Sequence, residues 1–404
     1  MQSKIAVLLA VAVLTFAALI TPLCSSAQDQ PSKHRHYKII NLGALGGTSS
    51  AGNGINNRGW VTGAANLQGD KNARAALWAY GLKFDLGTLG GPNSGVFFPV
   101  KNNTGKIAGV AETVDTDPLG EQWSCSFFFP SVTGHTCLGF VWNGHMMALA
   151  TLGGNNGFAA GINNAGQIVG WAENTVHDPT CAGPNGRNQV LQFEAVIWGS
   201  DGQIQQQLPP FGDDPDSAAV AINNKGQVVG ISGLCDQAVG RFSARHAVLW
   251  ENGVPTDIGN FGGIAWNTPV AINEKGQVAG FSDFPGDADG SFTGHAFFWT
   301  KGTPIEDLGT LRGDFLSLGL GMNNRGQVVG YSIGPNGLRA FLWEGGPLID
   351  LNSILPPGSS LTLQIAGDIN DRGEITGVFV DRNSTTCTSN AGCAFLAIPD
   401  DDAR

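Results

Sequence analysis

The sequence predicts an all-β fold, a seven-bladed β-propeller, from three observations. First, a nine-residue motif such as INNKGQVVG occurs seven times, and its first Asn recurs every 46 to 61 residues. Second, the part of the chain after residue 27 shows no sustained helical periodicity of apolar residues. Third, the two ends of the repeated region supply complementary parts of one unit. A repeat of this length with only short strands predicts a propeller.

The motif itself predicts a tight hairpin. Its copies begin at Ile55, Lys101, Ile162, Ile222, Ile272, Met322 and Ile369. In the copy from Ile222, an Asn-rich corner is followed by Gly226, and glycine adopts positive φ without steric cost. The flanking segments AVAIN and QVVG then become the first two strands of each unit.

Two further elements complete each unit. An apolar run ends in Trp at Trp78, Trp142, Trp198, Trp250, Trp299 and Trp343, whereas the seventh run, CAFLAI, has Ala397 at that place. A segment related to DLGTLGG begins at Ile40, Asp85, Asp257, Asp307 and Asp350. The sequence therefore predicts four strands in each unit, and four strands are the plan of a propeller blade.

The chain ends favour a closed ring. The repeated region begins with a fourth strand, HYKIINLG, and finishes with a third strand, CAFLAI, so the N-terminal strand closes the last blade. A β-solenoid is the alternative, but an open stack needs polar capping repeats at both ends, and the sequence shows none. We predict a propeller over 37–398, a linker over 28–36 and an acidic tail over 399–404.

The first 27 residues have the pattern of a secretory signal peptide. Lys4 precedes the apolar run IAVLLAVAVLTFAALI, and Ser25, Ser26 and Ala27 form a small-residue cleavage site. Cys24 raises the alternative of a lipoprotein, but Leu23 is bulky where a small residue should stand. No later segment is apolar enough to cross a bilayer. The sequence therefore predicts an exported protein in the periplasm, at the cell surface or outside the cell.

The net charge and the number of cysteines argue against two classes of protein, nucleic-acid binders and metal-site proteins. The formal net charge is −11, which argues against a nucleic-acid partner. Six cysteines follow the signal, and an even number in an exported chain favours disulfides over a metal site. Proximity suggests Cys125 with Cys137 and Cys387 with Cys393, which leaves Cys181 for Cys235, one of fifteen possible connectivities.

The motifs also carry a family resemblance. The triplet His295-Ala296-Phe297, the segment DLGTL from Asp307 and MNNRGQVVG from Met322 resemble the HAF family of bacterial extracellular repeat proteins. The resemblance covers the whole repeated region, although some units depart from the triplet. It implies export and repetition, and it implies no particular activity.

The residues that recur in every unit are interpreted as scaffold, because hairpins and blade packing require them. A ligand-binding ring of Asp85, Asp257 and Asp307 is the alternative. The links after the second strand vary most in length, and insertions of this kind commonly mark the binding face of a repeat protein. We therefore expect function on the face that carries these insertions.

Aromatic residues on that face are the candidate ligand contacts, because exposed rings stack on sugars or anchor protein partners. The candidates are Trp123, Trp171, His177 and Trp266. The competing interpretation is that the loop between Cys125 and Cys137, with its three consecutive Phe residues, folds over a small core of its own.

Carboxylates provide a second set of candidates. Asp287 and Asp289, followed by Gly290, loosely resemble a calcium loop but lack its remaining oxygen ligands, so a solvated turn is the competing interpretation. No other cofactor is indicated.

The sequence shows no G-x-S-x-G, H-E-x-x-H or P-loop motif. We expect a binding module for an extracellular glycan or protein. The alternatives are a purely structural role in the envelope and a polysaccharide hydrolase or lyase that uses carboxylates such as Glu173, Asp213 or Asp287.

Overall fold

The computed structural model describes residues 36–100, 102–121, 128–181, 189–236, 240–356 and 358–400. Within these residues the chain forms seven antiparallel sheets of four strands each, arranged as the blades of a propeller. The predicted fold class is confirmed. The predicted signal peptide, the other residues before His36 and the last four residues lie outside the described residues.

The strands follow chain order in blades 1 to 6, whereas blade 7 takes its fourth strand from the N-terminus. Blade 1 contains β2 (Gly46–Ile55), β3 (Val61–Leu67), β4 (Ala73–Ala79) and β5 (Leu82–Asp85). Blade 2 contains β6 (Gly90–Gly95), β7 (Ile107–Thr116), β8 (His135–Trp142) and β9 (Met146–Ala148). Blade 3 contains β10 (Gly157–Ile162), β11 (Ile168–His177), β12 (Leu191–Trp198) and β13 (Ile204–Leu208).

The remaining blades repeat this plan. Blade 4 contains β14 (Asp216–Ile222), β15 (Val228–Gly233), β16 (His246–Glu251) and β17 (Val254–Asp257). Blade 5 contains β18 (Thr268–Ile272), β19 (Val278–Ser282), β20 (His295–Trp299) and β21 (Glu306–Asp307). Blade 6 contains β22 (Leu316–Met322), β23 (Val328–Gly334), β24 (Gly337–Trp343) and β25 (Ile349–Asp350). Blade 7 contains β26 (Leu361–Ile369), β27 (Ile375–Asp381), β28 (Cys393–Asp400) and β1 (His36–Asn41).

The glycines of the motif have the two roles that the backbone requires. Gly226 ends the hairpin loop with φ of 77°, a conformation that residues with a Cβ atom rarely adopt. Gly230 lies in β15, where a Cβ atom would come within 2.0 Å of the carbonyl oxygen of Ala218 on β14. The motif therefore recurs because the turn and the close contact between the first two strands both need glycine.

The ring is closed by the N-terminal strand. β1 pairs antiparallel with β28 along its whole length, for example Ile40 with Leu396. Blade 7 also contacts blade 1 directly, since the backbone N–H of Ile55 donates to Asp368 at 2.9 Å. The open solenoid is thus excluded. The strands extend slightly beyond the predicted limits, because β1 begins at His36 and β28 ends at Asp400.

The tryptophans that end the third strands pack in the interfaces between blades. Trp250 is 1% exposed, and its indole N–H donates to the carbonyl oxygen of Pro209, in the link that leads into blade 4, at 2.8 Å. Trp198 makes the equivalent bond to Ala150. The rings of Trp198 and Trp250 thus bury a large apolar surface and satisfy their one polar atom.

Two of the predicted disulfides are confirmed. Cys181 is bonded to Cys235, and Cys387 to Cys393. Cys137 is disulfide-bonded as well, while its predicted partner Cys125 lies outside the described residues. Disulfides of this kind are typical of an oxidising, exported environment. In the described part of the chain, no helix is long and apolar enough to span a membrane.

Candidate functional site

The first Asn of each motif belongs to a closed ring of hydrogen bonds around the propeller axis. Each side-chain N–H donates to the backbone carbonyl of the equivalent Asn in the next blade, at 2.8 to 3.2 Å. The members are Asn56, Asn102, Asn163, Asn223, Asn273, Asn323 and Asn370. All seven side chains are buried. This ring is structural, as the sequence indicated.

The residue after the first Asn, which is the third residue of each motif, forms another closed ring, the second ring. Each backbone N–H donates to the side-chain oxygen of the equivalent residue in the next blade, at 2.7 to 3.2 Å. The members are Asn57, Asn103, Asn164, Asn224, Glu274, Asn324 and Asp371. These side chains are exposed or half-buried, so they face solvent near the axis.

The second ring surrounds a pocket on the axis, with a volume of about 190 Å³. Side chains of the second ring line it, and Ile55, Ile222, Ile272 and Met322 lie beside the first ring. The pocket opens on the face of the motif turns, opposite the insertions. Function was expected on the insertion face, so the sequence did not indicate this pocket.

The second ring leaves polar groups unused, and they are unevenly distributed. In the described part of the chain, the side-chain amides of Asn103 and Asn164 donate no hydrogen bond, whereas those of Asn57 and Asn324 donate to the Asp371 carboxylate. Glu274 accepts from Asn224 through a single oxygen. Free donors therefore lie in blades 2 and 3, across the axis from the carboxylates in blades 5 and 7. A small polar ligand could engage both sides.

Blade 1 carries an aromatic pair on the same face. Trp60 takes the place where four other motifs have a Gln that accepts from the first Asn. The ring of Tyr80 meets Trp60 edge-on at a centroid distance of 5.4 Å, and the guanidinium of Arg58 lies 5.3 Å from the Trp60 ring. Tyr80 is 80% exposed.

The backbone of Tyr80 is strained. Tyr80 and Gly81, both with positive φ, form the two-residue turn between β4 and β5, a turn type that favours Asn-Gly. The equivalent turn of blade 4 is Asn252-Gly253, with φ of 52° and 78°. A bulky residue in this conformation is uncommon. Such outliers cluster at functional sites.

We expect Tyr80→Asn to stabilise the protein by about 0.5–1 kcal/mol, because Asn tolerates the left-handed conformation better than Tyr. Thermal or urea unfolding measures the change. The reciprocal variant Asn252→Tyr is the matched control and should destabilise by a similar amount. Equal stability of wild type and Tyr80→Asn would contradict the assigned strain.

The aromatic candidates on the insertion face are mostly buried. Trp171 is fully buried and stacks on Phe158 at 4.3 Å, and Trp266 is 6% exposed with its N–H bonded to the carbonyl of Gly290. The expectation that these two rings are exposed for a ligand is wrong, because the insertion loops fold inward and need them as core. His177 is exposed at the end of β11, and Trp123 lies outside the described residues.

The loop around Cys137 also contributes to the common core. Phe128 and Phe129 are buried, and both contact Phe97 of blade 2 at ring distances of 4.9 and 5.7 Å. The Phe128 ring also lies 5.2 Å from Phe158 of blade 3. These rings therefore pack against the blades, rather than forming a separate small core.

The proposed calcium carboxylates have other partners. One Asp287 oxygen accepts hydrogen bonds from the backbone N–H groups of Ile264 and Ala265 at 2.7 Å. The side chain therefore connects its own loop to the loop that contains these two residues. Asp289 accepts from the backbone of Ser291. Within the described ranges, no three His, Cys, Asp or Glu side chains are grouped as metal ligands.

The candidate catalytic carboxylate Glu173 is buried in a network of acids and amides. It accepts hydrogen bonds from the backbone of Asn156 at 2.7 Å and from the side chain of Gln189 at 2.8 Å. Burial, with a further contribution from the nearby Glu121 carboxylate, raises the pKa of Glu173 to about 8. Asp213, in contrast, is exposed on a turn. The two groups are not presented together in a cleft, so the structure gives no support to their acting as a pair.

The repeated Asp residues of the DLG segments do not form a ring at the axis. They lie on the outermost strands, where each caps a turn by accepting the backbone N–H two residues later, as Asp257 does from Gly259 at 2.8 Å. Asp85 and Asp307 make the same bond. Asp257 and Asp307 also pair with His246 and His295 of the adjacent strands. The ligand-ring alternative is therefore wrong.

Comparison with known proteins assigns neither a family nor an activity to this chain. No family model matches the chain, and no curated protein matches it. Among solved structures, a gluconolactonase from Xanthomonas campestris aligns over 91% of each chain, with 9% sequence identity and a TM-score of 0.37. At that level of similarity, nothing about the activity of this chain follows.

Proposed function

We propose that the protein is an exported binding module that holds a sugar residue of a glycan in the axial pocket. The observation that carries this proposal is the second ring, which directs free amide donors and a free carboxylate oxygen into one concave site. Asn, Asp and Glu side chains supply the donors and acceptors that sugar hydroxyls require. The pocket is smaller than those for drug-sized ligands, which suits a single sugar residue.

Two further features support a glycan. Trp60 and Tyr80 lie on the same face as the pocket, and aromatic rings there offer an apolar surface for the face of a neighbouring sugar. The disulfides are consistent with export, which the predicted signal peptide over 1–27 and the resemblance to the HAF family also imply. We therefore infer that the glycan is one found outside the cytoplasm.

The pocket chemistry favours binding over hydrolysis. Its two carboxylates, Glu274 and Asp371, both accept hydrogen bonds from backbone and side-chain amides of the ring. Glycoside hydrolysis needs a protonated acid aimed at the leaving oxygen, besides a second carboxylate. Neither pocket carboxylate is arranged as such a donor.

The test is a glycan array with the purified protein, read for both retention and product release, with and without calcium. For a retained glycan, we expect Asn164→Asp to weaken affinity roughly tenfold, because it replaces a free donor by a carboxylate. The change preserves the ring, since Asp371 occupies the same position in blade 7. Asn143→Asp, an identical change on the exposed turn after β8, is the control.

The outcomes separate the alternatives. Loss of binding in Asn164→Asp but not in Asn143→Asp supports the axial site. Retention that is insensitive to both variants would move the site elsewhere. Released product would favour the hydrolase or lyase, and an array with no retained glycan would overturn the proposal.

A further inference from the structure

The fourth residue of the motif directly follows the residue of the second ring that lines the axial pocket, and in most blades it is positively charged. Five of the seven motifs have Lys or Arg at this position, and all five side chains are exposed. They are Arg58, Lys225, Lys275, Arg325 and Arg372. We call these five residues the cationic arc.

The arc is continuous. Its members belong to blades 4, 5, 6, 7 and 1, which are consecutive around the closed ring. The gap falls at blades 2 and 3, where Thr104 and Ala165 stand at this position. The free side-chain amides of Asn103 and Asn164 lie in these same two blades. The exposed cations and the free, uncharged amide donors therefore belong to different blades.

The turn itself does not require a cation. Thr104 and Ala165 stand at this position in turns where the backbone N–H of Lys106 or Gln167 donates to the side-chain oxygen of the first Asn. The turns that contain Lys225 and Lys275 make the same bond. Nor are most of the charges neutralised. Arg372 pairs with Glu374 at 2.5 Å, whereas in the described residues Lys225, Lys275 and Arg325 have no ion-pair partner. The arc thus holds five of the 22 Lys and Arg residues in a chain of net charge −11.

We propose that the cationic arc binds the acidic groups of an anionic polysaccharide whose chain crosses the mouth of the axial pocket. This inference rests on the proposed function and adds the ligand class, a carboxylated or sulfated glycan. A polymer chain presents acidic groups at regular intervals, so several can meet successive Lys and Arg side chains while one sugar enters the pocket. The recessed polar pocket at the centre of the arc favours a glycan over a lipid surface, which would leave those amides unused.

The probes are polygalacturonate, its methyl-esterified form and neutral dextran, each titrated at low salt and in roughly 0.5 M salt, where exposed charges are screened. We expect the protein to prefer polygalacturonate to its ester and to lose that preference in high salt. The triple variant Lys225→Gln, Lys275→Gln, Arg325→Gln should bind polygalacturonate roughly tenfold more weakly, since three exposed pairs contribute about 0.5 kcal/mol each.

A matched control neutralises three exposed cations away from the arc, Lys38→Gln, Lys71→Gln and Arg312→Gln. It has the same net charge as the arc variant, so loss confined to the arc variant supports the proposal. Equal affinity of the two triple variants, or no preference for the acid over its ester, would overturn it. Binding to anionic phosphatidylglycerol vesicles in place of polygalacturonate would overturn it too.

The failures of the two proposals are distinguishable. If a neutral glycan binds, and binding is lost in Asn164→Asp but unchanged in the arc variant, the axial site is supported. The proposal that the ligand is an anionic polysaccharide would then be wrong. Absence of any glycan binding would remove both.

Discussion

Deletion of 37–43 is expected to destabilise the whole propeller, because these residues contain nearly all of β1. The strand buries Tyr37 and part of Ile39 in the core of blade 7 and pairs with β28 on its only neighbouring edge. Burial of two large side chains, added to the lost strand hydrogen bonds, amounts to roughly 5 kcal/mol. We expect Tm to fall by roughly 6 °C.

The measurement is thermal unfolding followed by far-ultraviolet circular dichroism and by tryptophan fluorescence. The tryptophans of the third strands lie in six different blades, so coincident transitions at a lower Tm would show that the ring unfolds as one unit. Deletion of 29–35, which has the same length and precedes β1, is the control. An unchanged Tm in the deletion of 37–43 would defeat the closure argument.

The architecture could be predicted because the sequence encodes it locally and repeatedly. Gly226 and Gly230 are needed by the turn and by the close strand contact, so their counterparts recur in every unit. Closure was predictable as well, since HYKIINLG and CAFLAI are parts of one blade. These signals lie within single motifs and need no knowledge of distant contacts.

The site was harder to predict because its parts come together only through ring geometry. In five of the seven motifs the first Asn is followed by a second Asn, yet the first is buried scaffold and the second faces the pocket. Trp171 lies in a polar segment, WAENTVHD, which concealed its burial against Phe158 of the preceding strand. The residues at the fourth position of the motif, Arg, Thr, Ala, Lys, Lys, Arg and Arg, were a usable signal for the cationic arc.

The buried carboxyls of the insertion face should make stability fall as pH rises through the neutral range. Burial raises the pKa of Glu173 to about 8 and that of Asp216 to about 8, in the latter case with a further contribution from Asp178. In the unfolded chain these groups have their ordinary values of 4.5 and 3.8. Between the two limits the native state holds protons that the unfolded state has released.

The stabilising effect of these protons is complete below pH about 4, decreases as pH rises, and is lost above pH about 8. One carboxyl contributes at most about 1.4 kcal/mol per pH unit. Urea unfolding at a series of pH values from 5 to 9 measures this slope, because the range covers most of the interval between the unfolded and the native pKa values.

Glu173→Gln should flatten this slope, because the amide is neutral at every pH and still accepts the backbone N–H of Asn156. Glu306→Gln, at an exposed position on β21, should leave the slope unchanged. Identical slopes in wild type and Glu173→Gln would mean that Glu173 is ionised in the native protein, in which case the amides of Asn156 and Gln189 outweigh its burial.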